Sequence, residues 1–255
     1  MIRESEIKEK AREYGVPVST IERDYAQNYL LKYLEHLDIA LKGGTGIKKV
    51  YVKNYRFSDD LDFTLMHKIR TIKAEIRKAV KNAREDGINF LNDVRFTNTE
   101  SGIRAVTYFS IIRRCSGTNM SIKIDITSAE REPILLPVRK KPVFHNYSDK
   151  LSILINTYSL EEIIAEKLRA LFQRRRPRDL YDVWYFRSYL SKPEVRKTFE
   201  RKCLLANIKP SFSYLELYKE TFLRSWNNSL RNQFKIIPDF EKVYKELSEK
   251  LKEIV

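Results

Sequence analysis

Apolar residues recur at helical spacing near both ends of the chain. Near the N terminus this spacing predicts a short helix over residues 2–14 and, after a Gly-Pro turn, a longer helix over residues 19–37 with Ser19 as its N-cap. Two helices around a turn could form a DNA-binding helix-turn-helix, but they are more often simply packed helices. Beyond residue 151 the chain is mostly helical. Ser159, with Glu162 three residues later, is a capping-box signature for a helix ending near Gln173.

Between these helical regions, a period of two predicts β-strands. The predicted strands cover residues 38–42, 56–65, 94–96, 103–112 and 120–127, and an amphipathic basic helix covers 68–85. In the strand over 120–127 three isoleucines share one face, while Lys123 and Asp125 share the other. The pattern predicts an α/β core over residues 1–150 and a helical C-terminal domain over 151–255, which we expect to complete the active-site cleft.

Composition narrows the class of protein. The net charge of +15 favours a polyanionic partner such as nucleic acid, although charge spread over solvated faces would give the same total. No apolar run is long enough to span a membrane, and the charged start lacks an apolar leader, so we expect a cytoplasmic protein. Cys115 and Cys203 are too far apart in sequence to suggest a zinc site or a disulfide framework.

A glycine turn follows the strand over residues 38–42. Gly43 and Gly44 allow the backbone to approach a ligand closely, and Thr45 adds a hydroxyl, so the turn is a candidate phosphate-binding site. It is not a Walker P-loop, because no Gly-Lys-Ser/Thr sequence follows it.

Paired carboxylates lie on the next predicted strand. Asp60 and Asp62 are two residues apart, so both project from the same face, and their mutual repulsion favours a bound divalent cation such as Mg²⁺. Asp125 is a candidate third carboxylate, and three carboxylates can hold two metal ions. The alternative is a solvated acidic strand end, with Asp125 a surface residue paired with Lys123.

A third set of candidate residues lies in the C-terminal half. Lys167 falls on the apolar side of its predicted helix, where it could snorkel from the edge or contact a triphosphate. Arg174 belongs to an arginine cluster suited to phosphate binding, unless that segment is a solvated loop. Asp179 and Asp182 follow on one helical face, and Asp182 could orient Lys167 or act as a base.

Taken together, these motifs resemble the AbiEii/AbiGii family of nucleotidyltransferase toxins, which has the mycobacterial MenT toxins as relatives, within the DNA polymerase β-like superfamily. The resemblance spans most of the chain. It rests on IERDY at residues 21–25, KGGT at 42–45, FSDDLDF at 57–63, KIDI at 123–126, AEKLRAL at 165–171 and RDLYD at 178–182. One departure is the sequence after the glycines, where Gly46, Lys48 and Lys49 stand in place of the expected small or apolar residues.

The resemblance implies a polymerase β-like core with a mixed sheet. It implies a nucleoside triphosphate substrate, Mg²⁺ or Mn²⁺, a cognate antitoxin and, as in some relatives, the tRNA 3′ end as acceptor. The implied metal ligands are Asp60, Asp62 and Asp125. The implied phosphate contacts are Thr45 and the backbone at Gly44, and the implied nucleotide contact is Lys167; Gly43, Ser58 and Arg174 are further candidates for nucleotide or phosphate binding. Asp182 or Asp179 is the further essential carboxylate.

Two other functions remain compatible with the residues. A non-catalytic nucleic-acid-binding module would need the basic surface alone, and a phosphotransferase would use the same metal ligands on the γ-phosphate. Three carboxylates in register favour an enzyme over a binding module, and the fate of labelled triphosphates distinguishes the two enzymes.

Overall fold

The chain divides into two compact units. The computed structural model describes residues 1–112 and 120–254, and the units comprise Met1–Tyr158 and Ser159–Val255. The division falls beyond the predicted boundary at residues 150 and 151, because the strand Leu154–Thr157 pairs with the strand Ile39–Lys42 of the first unit.

The first unit combines helices with a seven-stranded sheet in the described residues. The helices are α1 (Glu4–Tyr14), α2 (Val18–Leu34), α3 (Gly43–Gly46), which continues into the π-helical turn Ile47–Tyr51, and α4 (Ile72–Glu85). The strands are β1 (Ile39–Lys42), β2 (Asp60–Leu65), β3 (Asn89–Thr99), β4 (Gly102–Ser110), β5 (Met120–Thr127), β6 (Arg139–Pro142) and β7 (Leu154–Thr157). Their order in the sheet is β3-β4-β5-β2-β1-β7-β6. The β1/β7 and β2/β5 pairs are parallel and the other pairs are antiparallel, so the sheet is mixed.

The two central strands follow the predicted alternation. Leu61 and Phe63 of β2 are fully buried, as are Ile122 and Ile124 of β5, while the residues between them point to the opposite, more exposed face. Burial of several large apolar side chains at about 1.5 to 3 kcal/mol each fixes which face of the sheet is core. A one-residue slip would bury the aspartates instead, so the core sets the orientation of the site.

The observed elements differ from the predicted ones in several places. The helix α2 begins at Val18, with Pro17 at the N-cap position, so Ser19 lies inside the helix and does not cap it. The strand β2 begins at Asp60, later than predicted. The short edge strand β6 is not predicted from sequence, because its residues, Arg-Lys-Lys-Pro, lack apolar alternation.

The second unit is helical in its described residues, as predicted. Its helices are α5 (Leu160–Gln173), α6 (Pro177–Tyr185), α7 (Pro193–Leu205), α8 (Phe212–Leu217), α9 (Lys219–Leu230) and α10 (Phe240–Leu251), with a 3₁₀ turn at Arg187–Ser191. Ser159 caps α5 as predicted, since its hydroxyl accepts a hydrogen bond of 3.2 Å from the backbone N–H of Glu162. The α5 bounds also agree with the prediction.

Two further expectations bear on the class of protein. Among the helices of residues 1–112 and 120–254, none is long and apolar enough to cross a membrane. Cys203 is buried with a free thiol, whereas Cys115 lies outside the described residues. The mixed sheet with flanking helices and a helical second unit confirms the predicted α/β (α+β) class.

Candidate active site

The two aspartates of β2 lie side by side on the solvent-accessible face of the sheet. Asp60 and Asp62 are half-buried, whereas Leu61 between them is fully buried. The parallel pairing of β2 with β5 sets Asp62 directly opposite Asp125. The three carboxylates predicted from sequence therefore occupy adjacent positions on one face.

A cation from the neighbouring strand contacts the third carboxylate. Arg104 of β4 is opposite Asp125 in the antiparallel β4/β5 pair. Its Nε and Nη2 donate hydrogen bonds of 2.7 and 3.0 Å to the two oxygens of Asp125. Hydrogen bonding to Asp125 and its charge, followed by the charges of Asp60 and Asp62, raise the pKa of Arg104 above its usual value. The sequence alone does not reveal the role of Arg104, because its contact with Asp125 depends on the register of β4 against β5.

The predicted phosphate turn packs against the aspartates. Gly43 has φ +69°, and a Cβ added there would lie 2.6 Å from Oδ2 of Asp62. A Cβ on Gly44 would lie 3.0 Å from Nη2 of Arg56 and 3.1 Å from Oγ of Ser58. Both positions therefore favour glycine, the first for its backbone conformation as well as for space. The structure brings the predicted residues Gly43, Gly44 and Ser58 together beside Asp62.

Thr45 has a different environment from the one expected of a phosphate ligand. Its side chain is fully buried, and its hydroxyl donates a hydrogen bond to the backbone carbonyl of Asp60. This contact joins the glycine turn to the first residue of β2. The hydroxyl hydrogen is thus engaged within the protein, and a direct role in phosphate binding stays a prediction.

The segment before β2 is held by α2. Arg23 Nη1 donates a 2.7 Å hydrogen bond to Asp59, and Gln27 Nε2 donates to the carbonyls of Ser58 and Asp59 at 3.1 Å each. Because these contacts fix the backbone at residues 58 and 59, they position both the serine and the aspartate pair that follows. Arg23 of the IERDY stretch, together with Gln27, thus supports the site from outside it. This supporting role was not predicted from the sequence.

The late motif forms a separate buried ion cluster within the second unit. Nζ of Lys167 lies 2.8 Å from Asp182 and 3.2 Å from Asp179, and Arg174 binds Asp179 through Nε at 2.7 Å and Nη2 at 3.1 Å. Burial opposes ionisation of Asp179, but Lys167 and then Arg174 outweigh it and hold its pKa below the usual value. Lys167 is thus oriented by two carboxylates and does not merely snorkel from the helix edge.

The fold can be compared with solved structures. It is similar to MenT4, a nucleotidyltransferase toxin from Mycobacterium tuberculosis H37Rv, with a TM-score of 0.73 and 20% identity over 98% of this chain and 88% of that chain. It is also similar to JHP933 from Helicobacter pylori, with a TM-score of 0.57 and 20% identity over 94% of this chain and 93% of that one. At these identities the similarity concerns the fold.

A family model defines the class of protein as a nucleotidyltransferase. The family model described as "Nucleotidyl transferase AbiEii toxin, Type IV TA system" matches residues 28–246. The chain therefore belongs to the AbiEii family of nucleotidyltransferase toxins of type IV toxin–antitoxin systems, which confirms the resemblance seen in the sequence. No curated protein matches the chain.

Proposed function

We propose that this enzyme moves a nucleoside monophosphate from a nucleoside triphosphate onto an RNA hydroxyl, with a divalent metal ion held by Asp60 and Asp62. The observation that carries the proposal is the arrangement on the sheet face. The Gly43 backbone approaches the carboxylate of Asp62, and Asp125 lies opposite that residue on β5. A triphosphate needs a close backbone approach, and a divalent metal ion needs carboxylate oxygens beside it.

The donor set suits a hard cation. Asp60 and Asp62 offer half-buried carboxylates on one face of β2, and carboxylate oxygens are the ligands that Mg²⁺ and Mn²⁺ prefer. In residues 1–112 and 120–254, no three acidic, histidine or cysteine side chains converge closely enough to bind a metal on their own. This fits a site in which phosphate oxygens and water complete the coordination. When bound, the metal would neutralise triphosphate charge and polarise the reacting phosphate.

The chain's own residues would hold the nucleotide in place. The backbone of the half-buried Gly43 and of Gly44 beneath it, together with the hydroxyl of Ser58, would contact the phosphates, while Thr45 keeps the turn joined to β2. From the resemblance of its motif to that of the family, we assign to Lys167 a contact with the nucleotide; Asp182 and Asp179 hold its ammonium in place. These two aspartates act as orienting groups, and Arg174 is a further candidate for the phosphates.

The net charge of the protein supports RNA as the acceptor of the nucleotide. A protein with net charge +15 attracts polyanions, and RNA supplies both the charge and the attacking hydroxyl. We propose the tRNA 3′ end as that acceptor, the cytoplasm as the place where triphosphate and tRNA meet the enzyme, and a cognate antitoxin as its partner. Transfer would then join the acceptor oxygen to the α-phosphorus and release pyrophosphate.

The test uses each of the four α-labelled triphosphates with Mg²⁺ and total RNA. Wild-type protein should label a discrete RNA band with one or a few of them, and Asp62→Ala should reduce labelling by roughly a thousandfold or more because charge neutralisation is most of the catalysis. The matched control is Asp93→Ala, which removes a carboxylate with an 82% exposed side chain from the same unit.

Each outcome has a distinct meaning. Equal labelling by wild type and a folded Asp62→Ala variant would remove these aspartates from the site. Labelled protein without labelled RNA would change the acceptor and leave the chemistry in place. Retention of a γ-label in place of the α-label would make the enzyme a phosphotransferase, and RNA binding with no transfer of either label would make it a binding module.

A further inference from the structure

A row of four charged residues crosses four neighbouring strands of the sheet. Strand register aligns Lys42 of β1 with Asp62 of β2, Asp62 with Asp125 of β5, and Asp125 with Arg104 of β4. The two acidic residues therefore stand between two basic ones. The buried amine of Lys42 forms an ion pair with Glu132. At the other end of the row, Arg104 contacts Asp125, a carboxylate of the site.

The contact between Arg104 and Asp125 uses both carboxylate oxygens. Nε lies 2.7 Å from Oδ1 and Nη2 lies 3.0 Å from Oδ2, which is the two-pronged arrangement that makes arginine, unlike lysine, a geometrically specific partner. The Asp125 side chain is 28% exposed and that of Arg104 is 47% exposed. Asp125 is thus already neutralised and partly shielded by a group belonging to the protein.

This pairing alters what Asp125 can do. A divalent ion bound at Asp125 would lie next to the guanidinium, and the two cations would repel each other. It would also have to displace two charge-assisted hydrogen bonds. Asp62 lies one strand beyond Asp125 in the row, and Asp60 lies two residues before Asp62 on β2, whereas the forked contact of Arg104 is made with Asp125. The predicted three-carboxylate site therefore has two different parts: the Asp60 and Asp62 pair, and Asp125 bound to Arg104.

We propose that Arg104 serves as the second cation of this site, so that Asp60 and Asp62 hold one divalent metal ion and the guanidinium at Asp125 replaces the other. The inference rests on the proposed function and narrows it. Three carboxylates predict two metal ions, whereas the register of β4 predicts one metal ion and one fixed guanidinium. Arg104 is in this sense a positioning residue, because it acts through Asp125 and its charge.

Metal stoichiometry tests the proposal independently of turnover. Full-length protein is titrated with Mn²⁺ alone, and free Mn²⁺ is counted by electron paramagnetic resonance. We expect one site in wild type, none in Asp62→Ala, and one in Asp125→Asn. Arg104→Gln should gain a second site, bound on the order of tenfold or more tightly than any second ion in wild type, because a repelling charge is removed. Arg104→Lys, which keeps the charge, should remain at one.

Two further variants separate the site from general effects. The double variant Arg104→Gln/Asp125→Asn should return to one site, which assigns the second ion to Asp125. Arg95→Gln removes an arginine with a 71% exposed side chain from the neighbouring strand β3 and should also stay at one. Thermal denaturation of every variant checks folding, which we expect to be retained because Arg104 is half exposed.

Four results would overturn the proposal. Two Mn²⁺ ions in wild type, falling to one in Asp125→Asn, would restore the two-metal site and leave the proposed nucleotidyl transfer intact. A single ion in Arg104→Gln would reduce Arg104 to a structural residue. A second ion that persists in the double variant would place it away from Asp125. Absence of Mn²⁺ binding in every variant would also overturn this inference, and the labelled-triphosphate assay would show separately whether the proposed nucleotidyl transfer stands.

Discussion

Each unit contains a cluster built on two aspartates, and the two clusters differ in how deeply their carboxylates are buried. In the first unit, Asp60 and Asp62 are half-buried on the open face of β2. In the second unit, Asp179 and Asp182 have side chains that are 2% and 0% exposed, and Lys167 contacts both. The first pair can meet a ligand directly, whereas the second pair is enclosed with a cation of the protein.

Because of this difference in burial, we expect substitutions in the two clusters to affect different properties, catalytic transfer in one and stability in the other. A half-exposed carboxylate retains water and costs little when it is neutralised, but a buried one relies on its partner, because an unpaired charge in the interior is expensive. Substitutions on β2 should therefore affect transfer while leaving the fold intact. Substitutions in the α5/α6 cluster should destabilise the second unit whether or not they also affect transfer.

The largest expected effect is on the stability of the second unit. Asp182→Ala leaves Lys167 buried with one fewer carboxylate, so the free energy of unfolding should fall by about 3 to 5 kcal/mol. Both tryptophans, Trp184 and Trp226, lie in this unit, so urea unfolding followed by tryptophan fluorescence reports on it. Asp62→Ala is the comparison, with an expected change below about 1 kcal/mol. Equal losses in the two variants would contradict the distinction between the clusters.

Local sequence signals predict the elements that determine the orientation of the first cluster. The alternation of buried and accessible residues in β2 and β5 is readable residue by residue, because strand periodicity is local. The capping of α5 by Ser159 is equally local. The glycine turn is readable for the same reason, since two adjacent glycines directly after a strand favour a tight turn and a close backbone approach.

Non-local contacts account for what the sequence did not predict. The late start of β2 reflects Arg23 and Gln27 of α2, which hold residues 58 and 59 in place of a ladder partner. Arg104 acquires its role only through the β4/β5 register, which brings together residues far apart in sequence. The pairing of Lys167 with two aspartates likewise requires the α5 and α6 geometry, although the sequence alone suggests Asp182 as one partner.

An intermediate effect should appear at the glycine turn, where Gly43→Ala brings a methyl group into the Asp62 carboxylate. We expect roughly a hundredfold loss of transfer, since a displacement of about 1 Å at a site is enough for that. Gly87→Ala is a matched control. Gly87 also has a positive φ, +101°, but its added Cβ would meet nothing closer than 3.6 Å. Both variants should lose some stability, and only the first should lose activity. Comparable loss of activity in both would attribute the effect to backbone strain alone.

The smallest expected effect is a difference in acid sensitivity between the clusters. The pKa of Asp179 is held below its usual value, mainly by Lys167 against the cost of burial, so the unfolded state binds this proton more readily. Its contribution to stability should be complete at neutral pH and lost as the pH falls below about 4. Urea midpoints from tryptophan fluorescence at pH 7, 5, 4 and 3 should thus decline more steeply in wild type than in Asp179→Asn. Glu200→Gln, at an exposed position of α7, should follow wild type. Parallel curves for wild type and Asp179→Asn would mean that the ion cluster contributes nothing through ionisation of Asp179.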